Sequence, residues 1–443
     1  MAYRIGMVSL GCAKNQVDAE MMMASLKGEG YLLENDPALA DVAIVNTCGF
    51  IDAAKQESID EILELAKLKK EGKIKAIVVT GCMAERYREE ILKELPEVDA
   101  VVGIGADSDI ASVVQKALGG EKTEVFPEKT LLPLEGERAL STPGYFAYLK
   151  IAEGCDNRCA YCAIPFIRGK YRSRTMESVL EEAHGLAARG VKELILIAQD
   201  TTKYGWDLYG KLMLPQLLRE LCKIDGLRWI RLLYCYPDSI TDELLDTIAS
   251  EEKIVKYIDL PLQHCSARLL RAMRRAGSRE ELTALIRKMR SRIPGLTLRT
   301  TLITGFPGET EEDFTELAEF VRDIRFERLG CFAYSREDGT AAAEMPDQID
   351  EEVKQHRMEL IMEDQMNLMQ QWGEDRIGKT IDVLVEGFDR YAECWFGRSA
   401  ADAPDIDGKI FFTVSGEKPK PGEFVRVTVT DCLDGDLTGT LEN

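Results

Sequence analysis

Histidine is nearly absent: His184, His264 and His356 are the only three in 443 residues. Zinc sites that mix cysteine with imidazole are therefore poorly supplied. Positive charge is also short, with 56 Lys and Arg against 77 Asp and Glu and a formal net charge of −21. Such a surface repels nucleic-acid phosphates and the anionic face of a membrane. It suits a basic partner, although acidity also serves solubility alone. No apolar run reaches the ~18 residues of a membrane helix. The start, MAYRIGMVSLGC, has no basic stretch leading into an apolar one. These absences predict a soluble, cytoplasmic protein with no membrane partner.

Cysteine, by contrast, is plentiful. The twelve stand at 12, 48, 82, 155, 159, 162, 222, 235, 265, 331, 394 and 432. In a cytosolic chain of this length disulfides are disfavoured, and clustered cysteines point to metal or redox chemistry.

The chain is long enough for two or three domains. Residues 1–125 alternate strand and helix patterns. YRIGMVSL, ADVAIVNT and KAIVVT read as strands, with DAEMMMASLKGEG and AAKQESIDEILELAKLKKEG as helices. Strands separated by helices imply a parallel sheet, here a small doubly wound α/β domain. Residues 126–143, FPEKTLLPLEGERALSTP, read as a linker. From 144 the alternation resumes with YFAYLKI, KELILIA, WIRLLYC, KYIDLPL, LTLRTTLI and RLGCFAY. Six such units predict an open, partial (β/α)6 barrel, since a full eight-fold barrel needs about 250 residues. A polar helix trails it over 347–373, so the middle domain is expected to run over 144–373. Residues 374–443 carry short strands with Gly and Pro turns, the pattern of a small all-β barrel.

Cys12, Cys48 and Cys82 are far apart in sequence, yet SLGC, NTCG and TGCM each lie just past the carboxyl end of a predicted strand. In a parallel sheet those loops emerge at one edge, where such folds bind ligands. Glycines 11, 49 and 81 beside them allow tight turns and close approach. Three equivalent positions argue for one shared site. Three separate buried cysteines are the alternative, and a catalytic cysteine would lack a nearby histidine.

EGCDNRCAYC spaces Cys155, Cys159 and Cys162 as C-x3-C-x2-C, after the first strand of the middle domain. Three thiolates are one short of the usual four. A zinc knuckle with a distant fourth ligand is one reading. The spacing and its place in the fold resemble the radical S-adenosylmethionine (SAM) superfamily. That resemblance implies a [4Fe-4S] cluster with one iron left open for SAM. It also implies that Tyr161 presents its backbone to the adenine, where simple packing is the alternative. AQDTTKYG (198–205), PLQH (261–264) and TGFPGE (304–309) also follow predicted strands and suit cofactor binding. The last reads equally as a turn and helix start. Cys235 and Cys331 sit in strand-like apolar runs and are expected in the core.

Over essentially its whole length the sequence resembles the radical SAM methylthiotransferases. SLGCAKNQVDAE, NTCGFIDAAKQESI, KIAEGCDNRCAYCAIPFIRGKYRSR, AQDTTKYGWDLYG, RLLYCYP and DLPLQH are similar to the ribosomal (RimO) branch. Ala13 departs from a proline frequent there, without chemical consequence, and His264 stands where the tRNA branch carries serine. The resemblance implies an N-terminal methylthiotransferase domain, a radical SAM barrel and a C-terminal TRAM barrel. It implies two [4Fe-4S] clusters, one on Cys12, Cys48 and Cys82 and one on Cys155, Cys159 and Cys162. It implies methylthio transfer to the β-carbon of an aspartate in small-subunit ribosomal protein S-twelve, free or within the subunit, with an electron donor. Cofactors then carry the difficult chemistry, and no acid–base side chain is expected to be catalytic. Charge supports this branch independently. From Arg376 onward there are 8 Lys and Arg against 13 Asp and Glu, whereas a tRNA-binding barrel should be basic. The alternatives are a methylthiotransferase acting on a tRNA adenosine, and a non-catalytic iron–sulfur electron-transfer or RNA-binding protein.

Overall fold

The computed structural model describes residues 2–106, 109–129 and 134–442. The first sheet has six parallel strands: β1 (Arg4–Ser9), β2 (Leu32–Glu34), β3 (Val42–Thr47), β4 (Ala76–Gly81), β5 (Ala100–Val102) and β6 (Thr123–Val125). Their order is β2-β1-β3-β4-β5-β6. The runs VAIVNT and AIVVTG are buried at every residue, as expected of central strands covered on both faces. Helices α1 (Ala13–Gly28) and α4 (Ile110–Leu118) bury Met22, Leu26 and Val114 against one face. Helices α2 (Asp52–Lys70) and α3 (Cys82–Glu94) bury Ile62, Leu65 and Met83 against the other. The domain is thus doubly wound. Helix α1 starts five residues earlier than its sequence pattern predicts, directly after Cys12. The polar residues Lys14, Asn15 and Asp18 hide that start, because all three are buried.

In the stretch read as a linker, residues 130–133 lie outside the described residues. Its remainder is anchored. Arg138 is buried between Glu20 at 2.6 Å and Glu182 at 2.5 Å.

The central sheet is built from β7 (Phe146–Lys150), β10 (Glu193–Ile197), β11 (Trp229–Leu232), β12 (Ile254–Asp259), β13 (Thr297–Thr304) and β14 (Arg328–Ala333). A short ribbon, β8 (Ala152–Glu153) with β9 (Arg172–Ser173), follows the first of these strands. The six strands are parallel and in sequence order, and the sheet is open, with β7 at one edge and β14 at the other. Its outer face packs on helices through residues such as Leu194, Leu196, Leu217, Leu298 and Phe320. Cys235 and Cys331 are buried in that layer. Its inner face is filled from elsewhere in the chain. Tyr148, Ile195, Val255 and Tyr257 pack with Val17 and Met21 of α1 and with Leu384 and Ala403 of the C-terminal region.

That region follows the helix Glu351–Glu374 and is a closed barrel of β15 (Thr380–Asp389), β16 (Cys394–Ser399), β17 (Ile410–Thr413), β18 (Phe424–Leu433) and β19 (Asp436–Leu441). It is bolted to the central sheet by buried charge. Glu193 accepts from Arg231 and from Arg398, each at 2.8 Å, and all three side chains are buried. Burial alone would raise the Glu193 carboxyl, but the two guanidiniums hold it below the usual range. Arg328 meets Asp402 at 2.5 Å, and the Tyr257 hydroxyl donates to Asp407 at 2.7 Å. Removing one partner of a buried charge set leaves the others uncompensated, so Glu193→Ala should destabilise the protein by about 3–5 kcal/mol. A lower denaturant midpoint checks this, and an unchanged one would refute it.

Candidate iron–sulfur site

Each of the three N-terminal cysteines follows a strand of the same sheet: Cys12 after β1, Cys48 after β3, and Cys82 after β4 at the start of α3. Because β1, β3 and β4 are neighbours, their loops leave the same sheet edge side by side. The approach is close. A Cβ on Gly11 would lie 3.0 Å from the Cys48 sulfur, with φ already at +89°. A Cβ on Gly81, where φ is +92°, would lie 2.5 Å from the Thr47 carbonyl. Glycine is therefore required where these loops meet.

The trio sits among buried cations. Lys14, 6 % exposed, lies 3.0 Å above the centre of the Tyr234 ring. Arg168, 1 % exposed, points a guanidinium nitrogen at the Cys82 sulfur from 3.7 Å. Loss of solvent pushes each thiol upward, but not always to a net rise. At Cys12 the charges of Lys14 and Arg168 outweigh it and the thiol falls below its ordinary value. Burial wins at Cys48, which is raised, and at Cys82, which is pushed up to about 12.

Cys155, Cys159 and Cys162 occupy the loop after β8, at the carboxyl side of the central sheet. All three line one cavity of about 650 Å³, together with Arg158, Lys170, Arg274 and Thr340. That volume is in the range of cofactor sites. Gly154 lets the loop begin. A Cβ there would strike the Lys170 carbonyl at 2.1 Å. Asn157 inside the loop donates to Asp200 at 3.1 Å. Burial raises Cys155 to about 11 and Cys162 to about 12. Arg275 reaches the Cys159 sulfur at 3.8 Å and the Tyr161 hydroxyl at 3.4 Å, and donates to the Pro261 carbonyl at 2.7 Å. The Tyr161 ring packs on the cluster that holds Ala160, Met273 and Phe306.

The two trios are neighbours. Helix α5 (Ile164–Arg168) leaves directly after Cys162 and Ala163. Cys82 packs with Ala163, Ile167 and Ile104. Among the described residues, no three His, Cys, Asp or Glu side chains are arranged to hold a single metal ion. Cysteine thiolates are the usual ligands of iron–sulfur clusters, so an all-sulfur donor set fits one.

The other loops singled out in the sequence are packed. Thr201 donates to the Leu233 carbonyl at 2.9 Å, and Thr202 to Asp200 at 2.6 Å. His264 is fully buried, accepts from the Ser266 amide at 3.0 Å and is lowered by burial to about 4. Glu309 pairs with Arg357 at 2.8 Å, and Thr310 caps the helix Glu311–Ile324 through a capping box with Asp313. Sequence reasoning missed Lys14, Arg168 and Arg275. The signal for the first two was their placement inside the cysteine-flanking stretches AKN and IRG.

Comparison with known proteins agrees with this architecture. Residues 4–103 match the uncharacterized protein family UPF0004, residues 149–321 the radical SAM superfamily and residues 377–441 the TRAM domain. Among solved structures, the radical S-adenosylmethionine methyltransferase TsrM from Kitasatospora setae, with cobalamin and a [4Fe-4S] cluster bound, aligns with a TM-score of 0.53 at 16% identity. The alignment covers 75% of each chain. The cobalamin-dependent S-adenosylmethionine radical enzyme OxsB aligns at 0.52 and 15% identity, over 82% of this chain and 56% of that one. At these identities the likeness is one of fold. Sequence relatives are nearer. The ribosomal protein uS12 methylthiotransferase RimO of Thermoanaerobacter sp. (strain X514) is 52% identical over 98% of this chain and 99% of its own. That of Lachnoclostridium phytofermentans is 52% identical over 99% and 100%, and that of Clostridioides difficile 49% over 98% of each. Identity of this order along the whole length shows that the chain belongs to the RimO family of ribosomal protein uS12 methylthiotransferases.

Proposed function

We propose that the protein transfers a methylthio group to an aspartate of ribosomal protein uS12, free or within the small subunit. In this reading Cys12, Cys48 and Cys82 hold one [4Fe-4S] cluster. Cys155, Cys159 and Cys162 hold a second, where SAM binds. The observation that carries it is the juxtaposition of two three-thiol sites, one at the carboxyl edge of each parallel sheet, joined through α5. When bound, these groups supply the sulfur, the methyl group, the electron and the radical that removes a hydrogen from an unactivated carbon.

The chain holds and orients them. Three sulfurs per site leave a position free for a ligand other than protein. The raised Cys155, Cys162 and Cys82 thiols are protonated until iron binds, so loading releases protons and weakens as pH falls. Arg275 offers its charge to Cys159 from within a packed wall. Tyr161 is proposed to present its backbone to the adenine of SAM. The reductive step draws on an external electron donor. The small barrel, with 8 basic and 13 acidic residues from Arg376 onward, suits a basic ribosomal protein better than tRNA. Membrane contact is not part of this reading, because no helix among the described residues is long and apolar enough to cross a membrane.

Mass spectrometry of uS12 from cells with and without this enzyme tests the reading. An added SCH2 unit on an aspartate, dependent on the enzyme, is expected. The same unit on a tRNA adenosine, with uS12 unmodified, would overturn it.

A further inference from the structure

Arg168 closes α5 and is buried, yet it forms hydrogen bonds in two domains at once. One guanidinium nitrogen donates to Glu153 at 2.9 Å, two residues before Cys155. The other donates to Asn15 and to Asp18 of α1, each at 2.9 Å, and lies 3.7 Å from the Cys82 sulfur. Asn15 extends this reach. Its amide nitrogen donates to the carbonyl of Leu10 at 3.0 Å and to that of Thr47, the residue before Cys48, at 2.9 Å. Arg168 and Asn15 together thus touch the loops of all three N-terminal cysteines. Lys150 meets Asp18 at 2.7 Å and Glu153 at 3.1 Å, so within this set of ion pairs two buried cations face two carboxylates.

We propose that Arg168 is a positioning residue for the reaction: it sets the N-terminal trio against the SAM trio and donates an N–H···S hydrogen bond to Cys82. The inference rests on the reading that Cys12, Cys48 and Cys82 hold an iron–sulfur cluster. A planar fork suits this work, because its donors are fixed relative to one another, whereas a lysine supplies one mobile point charge. A cation and a hydrogen bond at a cluster sulfur stabilise the reduced, more negative state and raise the reduction potential. Among the described residues Arg168 touches no sulfur of the second trio, where Arg275 stands instead. Its effect should therefore be confined to the N-terminal cluster.

The test is a redox titration of the reconstituted full chain, followed by electron paramagnetic resonance, with iron analysis alongside. Arg168→Met combined with Asp18→Asn removes the guanidinium and keeps the buried charges balanced. Both clusters should be present, and the N-terminal midpoint should fall by about 59 mV or more, a tenfold change for one electron. The midpoint of the SAM cluster should stay where it was. Loss of the N-terminal iron alone would also support the assignment. Unchanged midpoints with both clusters loaded, or equal loss of both clusters, would overturn it. Wild-type protein whose N-terminal trio takes up no iron would overturn the functional reading itself, and this inference with it.

Discussion

Replacing Cys155, Cys159 and Cys162 together by alanine should lower the iron of the anaerobically reconstituted protein from about eight to about four atoms per chain. It should also abolish SAM cleavage completely. The argument is local. All three cysteines line one cavity, and among the described residues no fourth cysteine lines it. Removal leaves Arg275 beside Tyr161 and Tyr236 without its contact to the Cys159 sulfur. The N-terminal trio is carried by a different sheet, whose two faces pack on helices of the N-terminal region, so its iron should survive. Retention of all eight irons would refute the assignment. So would continued formation of 5′-deoxyadenosine.

The complementary replacement of Cys12, Cys48 and Cys82 has a different signature. Iron should again fall to about four, but SAM cleavage should continue under reducing conditions while uS12 gains no methylthio group. The two half-reactions separate because the two sets of sulfurs come from different segments, one from the loops after β1, β3 and β4, the other from the loop after β8. The variant should remain folded. Its glycines keep their conformations, and Cys82, the one buried member of the trio, loses only a small side chain against Ile104, Ala163 and Ile167. A variant that still modified uS12 would show that the sulfur does not come by way of these cysteines.

Most of this site was legible in the sequence, and the reason is topological. Parallel strands buried on both faces are long apolar runs, so VAIVNT and ELILI announce themselves, and whatever follows them must lie at one edge. Cys12, Cys48 and Cys82 could be gathered on that argument alone. The strands that escaped notice are those without such a run. LLE, AVV and TEV have three residues each, and DLTGTL is largely polar. The cations escaped for another reason. A Lys or Arg in sequence reads as solvent-facing, and only packing reveals that Lys14 and Arg168 are enclosed. Burial of Lys14, Asn15 and Asp18 likewise concealed the first turns of α1, because a helix whose polar face is also inside shows no clean amphipathic period.

The open central sheet has one last consequence, which concerns how the chain folds. Six strands do not seal their own interior, and the residues that fill it come from α1 at one end of the sequence and from Leu384 and Ala403 at the other. The three sequence-defined parts therefore share a core instead of abutting. A shared core ties their unfolding together, since none can open without uncovering apolar surface in the next. The middle segment made alone would present Tyr148, Ile195 and Tyr257 to water. By this measure the unit of stability is the whole polypeptide, not the three parts seen in its sequence.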